Sequence, residues 1–196
     1  MKLNEVIKRD LSKVRYNTNF WSLITAILFN QSFKRILFYR LSKKKTLLRP
    51  LYAFLNRHYQ NKQLVYISKS AEIGEGFCIG HCFSIILSKC KIGKDVTIMQ
   101  QVTIGSSRGG SREGYPTIGN RCFIAAGAKI IGNITIGDDV VVGANAVVTK
   151  DIPSGCIVGG IPAKIISDKG KEQAELWCSD IKFMISYNKR KKEKQC

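Results

Sequence analysis

Residues 116–148 read PTIGNRCFIAAGAKIIGNITIGDDVVVGANAVV. Within them Ile118, Ile124, Ile130, Ile136, Val142 and Val148 follow one another six apart without a miss. Upstream, Ile67, Ile73, Ile79 and Ile85 keep the same step. The second residue of the Ile85-Ile86 pair resets the phase, and Ile92, Ile98 and Ile104 continue it. Glycine often comes next, as at Gly74, Gly80, Gly93, Gly105, Gly119, Gly137 and Gly143. Four places after the aliphatic stands a second inward candidate: Val96, Val102, Cys122, Ala128, Val140, Ala146. This is neither a 3.6-residue helical stripe nor a two-residue alternation. A period of six with two inward positions describes short strands joined by turns and wound into a coil.

In such a solenoid, aliphatics of successive coils stack in columns, each buried Ile contributing about 1.5–3 kcal/mol. Neighbouring coils pair their backbones as parallel strands, and glycine serves tight corners. The rival is a β-sandwich with coincidental spacing, which thirteen in-phase positions argue against.

From Val65 to Ile166 the chain resembles the hexapeptide-repeat acyltransferases. The likeness is carried by QQVTIGSSRGG (100–110), by the run from Pro116 onward, and by the closing GGIPAKII (159–166). Within that superfamily it is most similar to serine acetyltransferase and the related sugar or polysaccharide O-acetyltransferases. The resemblance implies a mainly β fold, a left-handed parallel β-helix with three hexapeptides per turn. The expected organisation is a basic helical segment over 1–64, the coil over 65–166 with a protruding loop over 105–117, and a C-terminal helix and basic tail over 167–196.

The flanks differ in composition from the coil. Residues 1–64 hold fourteen Lys/Arg and only two acids, Glu5 and Asp10, and their apolar residues cluster at helical spacing. That suits either a helix on an anionic membrane surface or a cap on the end of the solenoid. The apolar block FWSLITAILF (20–29) is too short to span a bilayer. The start, MKLNEVIKRDLSKVRY, lacks the apolar run of a signal peptide, so a cytoplasmic location is expected, with contact at the inner face of the cell membrane as an option. After the coil, Lys171 to Tyr187 suits a short helix, followed by a solvated tail.

Over the whole chain, 32 Lys/Arg against 14 Asp/Glu give a formal charge of +18, pointing to an anionic partner. No nucleic-acid motif is present, and nucleic acid is disfavoured. Seven cysteines, an odd number with no Cys-x-x-Cys pair, read as free thiols filling small inward sites. With two histidines and unmatched spacings, no metal site is expected. The two histidines also exclude a carbonic anhydrase on this coil, which needs three for zinc.

The candidate chemistry centres on His81, in GHCFSII (80–86). A lone histidine among apolar residues is commonly a satisfied core group. Here it follows Ile79 by two places, and with Ile79 and Phe83 taken as the inward positions it should point out of the coil. A neutral imidazole suits removal of a proton from an attacking hydroxyl. In the acyltransferases that this motif resembles, its histidine is the general base, a role that His81 inherits.

The match has gaps. Serine acetyltransferases carry Asp-x-His-Pro before the first coil, its acid orienting the imidazole. The matching stretch here is Tyr66-Ile67-Ser68-Lys69. Those enzymes also have a loop histidine that meets the amino-acid acceptor, and Tyr115 stands there. Gln100, one coil on from His81, is the candidate to fix the imidazole, with a backbone carbonyl as rival. The differences favour a saccharide hydroxyl, on a capsular or cell-surface polysaccharide or its precursor, over free serine.

The resemblance further implies acetyl-CoA as co-substrate, bound between coils. Gly105 and Ser106 would lie near the thioester, Ala126 and Ala144 would permit close approach, and Lys164, with Lys150 as the weaker candidate, would meet nucleotide phosphate. Arg108, Arg112 and Tyr115 of the loop would meet the acceptor or other anionic groups, unless the loop is a plain surface insertion. A homotrimer is implied as well. The expected function is therefore acetyl-CoA-dependent O-acetylation of a saccharide. Alternatives are serine O-acetylation, acetylation of an antibiotic, and a non-catalytic basic scaffold for membrane or nucleic acid.

Overall fold

A computed structural model describes residues 2–14, 17–107 and 113–178, apart from the side chains of residues 60, 62 and 63. The six-residue period forms a three-faced parallel solenoid, the left-handed β-helix that the family resemblance implied. Face A stacks β1 (Val65–Ile67), β4 (Ile85–Leu87), β7 (Thr103–Gly105), β10 (Lys129–Ile131) and β13 (Val147–Val148). Face B stacks β2 (Glu72–Ile73), β5 (Lys91–Ile92), β8 (Thr117–Ile118) and β11 (Thr135–Ile136). Face C stacks β3 (Cys78–Ile79), β6 (Thr97–Ile98), β9 (Phe123–Ile124), β12 (Val141–Val142) and β14 (Ile157–Gly159), and is closed by antiparallel β15 (Lys164–Ser167).

The aliphatic columns are inward. Ile98, Ile104, Ile124, Ile130, Ile136 and Val142 are fully buried, as are Val96, Val102, Cys122, Ala128, Val140 and Ala146 of the second set. The phase reset between Ile79 and Ile92 differs from expectation. Leu87, paired with Ile67 and Ile104, holds the main column, while Ile85 pairs with Val65. Both are fully buried, and Ile86 between them points outward. Phe83, expected inward, is 54% exposed. A six-residue step would end at Ile85, but the step runs to Leu87, so this corner carries two extra residues.

Each coil donates strand amides to the coil after it, and corner amides such as Asp95 and Gln101 donate back to the coil before, at Glu75 and Phe83. Glu72, Gly74 and Gly80 donate their amides to carbonyls of the following coil, Cys90, Ile92 and Ile98, at 2.8–2.9 Å. The first coil's own carbonyls therefore have no strand before them, and each would cost about 1–3 kcal/mol if buried unpaired. Helix α3 (Gln31–Lys43) supplies the donors. Arg35 donates through Nε and Nη2 to the Val65 carbonyl at 3.3 and 3.2 Å. Tyr39 and Lys43 both donate to Ala71 at 2.6 Å. Arg40 donates to Ile73 at 3.0 Å and Gly74 at 2.6 Å.

Three other helices complete this end: α1 (Leu3–Ser12), α2 (Phe20–Phe29) and α4 (Arg49–Gln63). Asp10 of α1 pairs with Arg40, Oδ1 to Nη2 at 3.0 Å, and also accepts the Phe77 amide at 3.2 Å. A buried cation is costly unless its partners are complete; carbonyls and a carboxylate complete this one. Part of the basic N-terminal composition is thus a cap, one of the two roles open to it from sequence.

Helix α5 (Gly170–Cys178) lies along face C, from the Gly155 carbonyl that accepts the Gly170 amide back to Lys13, which donates to the Cys178 carbonyl, with Trp177 4.7 Å from the Phe123 ring centre. The rest of the helix expected to Tyr187 lies outside the described residues. Among the described residues no helix is long and apolar enough to cross a membrane. The six described cysteines are free thiols, of which Cys90, Cys122, Cys156 and Cys178 are buried.

Candidate active site

The edge where face C turns into face A is built from one left-handed residue per coil: Ser84, Gln101, Gly127, Asn145 and Gly160, with φ from 50° to 95°. These residues make the sharp corner that right-handed backbone cannot. The residue before each of the first three gives its carbonyl to the left-handed residue of the next coil. Phe83 accepts from Gln101 at 3.1 Å, Gln100 from Gly127 at 3.0 Å, and Ala126 from Asn145 at 2.9 Å. Phe83, Gln100, Ala126 and Ala144 therefore form one ladder at the outer edge.

Coming from the other side, the Gly80 amide donates to Ile98, and Met99 donates in the same way to Ile124. Gly80 thus stacks on Met99 and Phe83 on Gln100. His81 and Cys82 are the two residues that have no counterpart in the coil below. They form a bulge. Its side chains diverge: His81 is exposed, while Cys82 is half-buried against the core, its thiol pushed up to about 11 chiefly by burial.

Gln100 is therefore not directly one coil below His81, as the repeat implied; Phe83 takes that place, and the bulge sets the imidazole beside the ladder. The side-chain Oε1 of Gln100 is buried with no hydrogen-bond partner among the described residues. A buried amide oxygen left open is costly and offers an acceptor at this edge. Ala126 is half-buried and Ala144 exposed, and neither adds bulk to the edge.

The other expected residues lie elsewhere. Gly105 ends β7 and Ser106 follows it, where face A turns into face B. Three strand residues of about 3.3 Å each separate that edge from the one bearing His81. A single prism does not bring them together. The loop leaves at this second edge on a short stem, with Ser107 and Gly114 exchanging amide–carbonyl bonds at 3.1 and 3.3 Å. Arg108 and Arg112 lie outside the described residues. Tyr115, at the foot of the stem, stacks under the Lys89 ammonium at 4.3 Å. Lys150 is exposed just past β13 at the same edge, and Lys164 is exposed on β15.

Tyr66 sits on the outer surface of face A, paired with Ile86 and 47% exposed. His58 is exposed on α4, edge-on to Tyr59. Among the described residues, no three of His, Cys, Asp and Glu cluster as metal ligands would. The bulge at His81–Cys82 was missed from sequence. Its signal was the eight-residue step from Ile79 to Leu87, hidden because Ile85 fits the six-residue rhythm.

Residues 115–150 match the family described as bacterial transferase hexapeptide (six repeats). Over 104 residues the chain is 42% identical to a serine acetyltransferase of Helicobacter pylori, covering 53% of this chain and 61% of that protein. It is 38% identical over 130 residues to one from Staphylococcus xylosus, covering 66% and 59%. The chain thus spans about three-fifths of the length of these curated relatives. Among solved structures, the soybean serine acetyltransferase apoenzyme superposes with a TM-score of 0.68, with 31% identity over 83% of this chain and 68% of that one. A serine acetyltransferase in complex with CoA gives 0.68 at 30% identity, with the same coverage. The Neisseria gonorrhoeae enzyme in complex with serine gives 0.67 at 27%, again over 83% and 68%.

Proposed function

Because this chain belongs to the hexapeptide-repeat acyltransferases of the serine acetyltransferase type, we propose that it transfers an acetyl group from acetyl-CoA to a hydroxyl, with His81 as general base. The observation that carries the reading is the two-residue bulge, which holds an exposed imidazole beside the edge ladder of Gln100, Ala126 and Ala144.

In this mechanism His81 accepts the proton of the attacking hydroxyl and returns it to the leaving sulfur, so no net proton is lost. A base so placed is worth about 10²–10⁴ in rate. The thioester supplies an acyl carbon with a good leaving group. The small side chains at Ala126 and Ala144 fit a slender extended chain lying along the edge. Lys164, with Lys150, would meet its phosphates. The Gly105–Ser106 backbone would offer an amide to the developing oxyanion, and the undescribed Arg108 and Arg112 remain proposed loop contacts for anionic groups. Gln100 Oε1 would accept a ring N–H and fix the tautomer that leaves the other nitrogen free.

His81 and Ser106 lie on opposite edges of face A. That supports a homotrimer in which the edge of one chain meets the other edge of a neighbour. The chain would divide functionally at 64/65 and 166/167.

For the acceptor, the relatives support L-serine better than a saccharide. One observation keeps the saccharide as a second reading: Tyr66 and Tyr115 stand where this family's acid and loop histidine are expected. CoA release measured with L-serine and with sugar acceptors, each product identified by mass, tests both. O-acetylserine formation at enzymatic rates establishes the first reading. Turnover on sugars alone establishes the second, and no acetyl transfer to either class removes the proposal. A peripheral contact of residues 1–64 with an anionic membrane is a separate part of it, supported by charge and exposed apolar side chains and not by the relatives.

A further inference from the structure

One side of α4 is committed to the fold. Asn56 is buried beside Arg35, and Tyr59 stacks on Phe38 with ring centres 5.3 Å apart. The opposite side is not covered. Leu47 just before the helix is 96% exposed, and Leu51 and Phe54 are 51% and 67% exposed, with Leu48 alongside at 51%. Spacings of four and three residues put Leu47, Leu51 and Phe54 on a single stripe. Exposed Arg57 flanks it, exposed Lys44, Lys45 and Arg49 lie at the head of the helix, and residues 43–57 contain no acid. Phe54 and Arg57 also border a groove of about 650 Å³ between α4 and β1, closed on its far side by Ser68 and Lys69.

We propose that this stripe docks the protein on an anionic phospholipid surface, with Leu47, Leu51 and Phe54 entering the acyl boundary and a headgroup phosphate held between Arg57 and Lys69. Aliphatic side chains ringed by cations are the composition that an anionic interface rewards. Each nearby Lys or Arg adds to the attraction. A second copy of this chain fits less well. Face to face, the stripe would oppose like charges, and any other face belongs to a chain carrying +18. Nucleic acid would meet the cations but leave the aliphatics in water.

The inference rests on no step of the proposed chemistry. The test is co-sedimentation of the full chain with vesicles of phosphatidylcholine alone and of phosphatidylcholine mixed with phosphatidylglycerol. It is run alongside CoA release with a soluble acceptor and mass by light scattering. Binding is expected to the mixed vesicles only, weakened at least about tenfold by Leu51→Ser with Phe54→Ser and, separately, by Arg49→Gln with Arg57→Gln. Oligomer mass and acetyl transfer should not change in either variant. Failure to bind mixed vesicles, or binding unaffected by both double variants, overturns the proposal. A fall in mass for Leu51→Ser with Phe54→Ser assigns the stripe to a second copy instead. Vesicle binding without any acetyl transfer would leave this inference standing and remove the proposed function.

Discussion

The Gln101 amide donates to the Phe83 carbonyl at 3.1 Å, so Phe83 holds at its corner the place that Gln100 holds one coil on. This one bond identifies His81 and Cys82 as the residues in excess at their corner. The excess lifts the imidazole off the wall of the prism. A regular corner would have placed one residue, the counterpart of Gln100, where the chain has three.

Replacing His81 with Ala should leave the circular dichroism spectrum and melting temperature within error, because an exposed ring contributes little packing. Acetyl transfer should fall at least about a hundredfold, through kcat rather than KM. An unchanged kcat takes His81 out of the mechanism.

Substituting Arg35 by Leu should destabilise strongly. It leaves the Val65 carbonyl and the Asn56 side chain without their donor inside the cap, at about 1–3 kcal/mol for each unsatisfied group. Urea unfolding, compared at constant m-value, reads this out. A loss below about 0.5 kcal/mol would show that the cap tolerates open carbonyls.

A Gly74→Ala variant should also lose stability. A Cβ there would stand 2.4 Å from the Gly93 carbonyl oxygen, backbone that belongs to the next coil and is held by its own ladder. The coils would have to part locally, at about 1–3 kcal/mol, the usual range for overpacking. A melting temperature equal to that of the parent would mean that the coils yield freely.

The link between α1 and the coil should depend on pH. Burial pushes the Asp95 carboxyl up, but Arg9 at 2.8 Å and Lys13 at 3.0 Å outweigh it and hold the group below its ordinary range. A depressed carboxylate stabilises the fold above its unfolded value, about 4, and the gain disappears as pH falls through the folded value. The difference in melting temperature between the parent and Asp95→Asn should therefore be full near neutrality and shrink below about pH 4. A difference independent of pH would dissociate the ion pair from stability.

Thiol chemistry gives a further check. Burial pushes Cys78, Cys82 and Cys178 up to about 11 and Cys90 and Cys122 up to about 12. Thiolate is the reactive form, so these five should resist a disulfide reagent at pH 8 until the protein is unfolded. Peptide mapping of the labelled native protein decides it, and rapid native labelling at Cys90 or Cys122 would contradict the packing.

The sequence alone determined the solenoid, since a six-residue period has one efficient way of burying every sixth aliphatic. It also determined that His81 is the candidate base and that Gly105 and Ser106 begin the excursion to the loop. Tertiary structure decided the rest. Ile85 keeps the rhythm in the linear order yet belongs to the second inward column, because the phase is set by which carbonyl each amide reaches and not by spacing. The basic N-terminus is ambiguous as composition. It divides once coil direction leaves the first carbonyls open, so that Arg35, Arg40 and Lys43 turn inward to them while Arg49 and Arg57 face out. Charge is written in the chain, but where it is neutralised depends on which backbone groups the fold leaves unpaired.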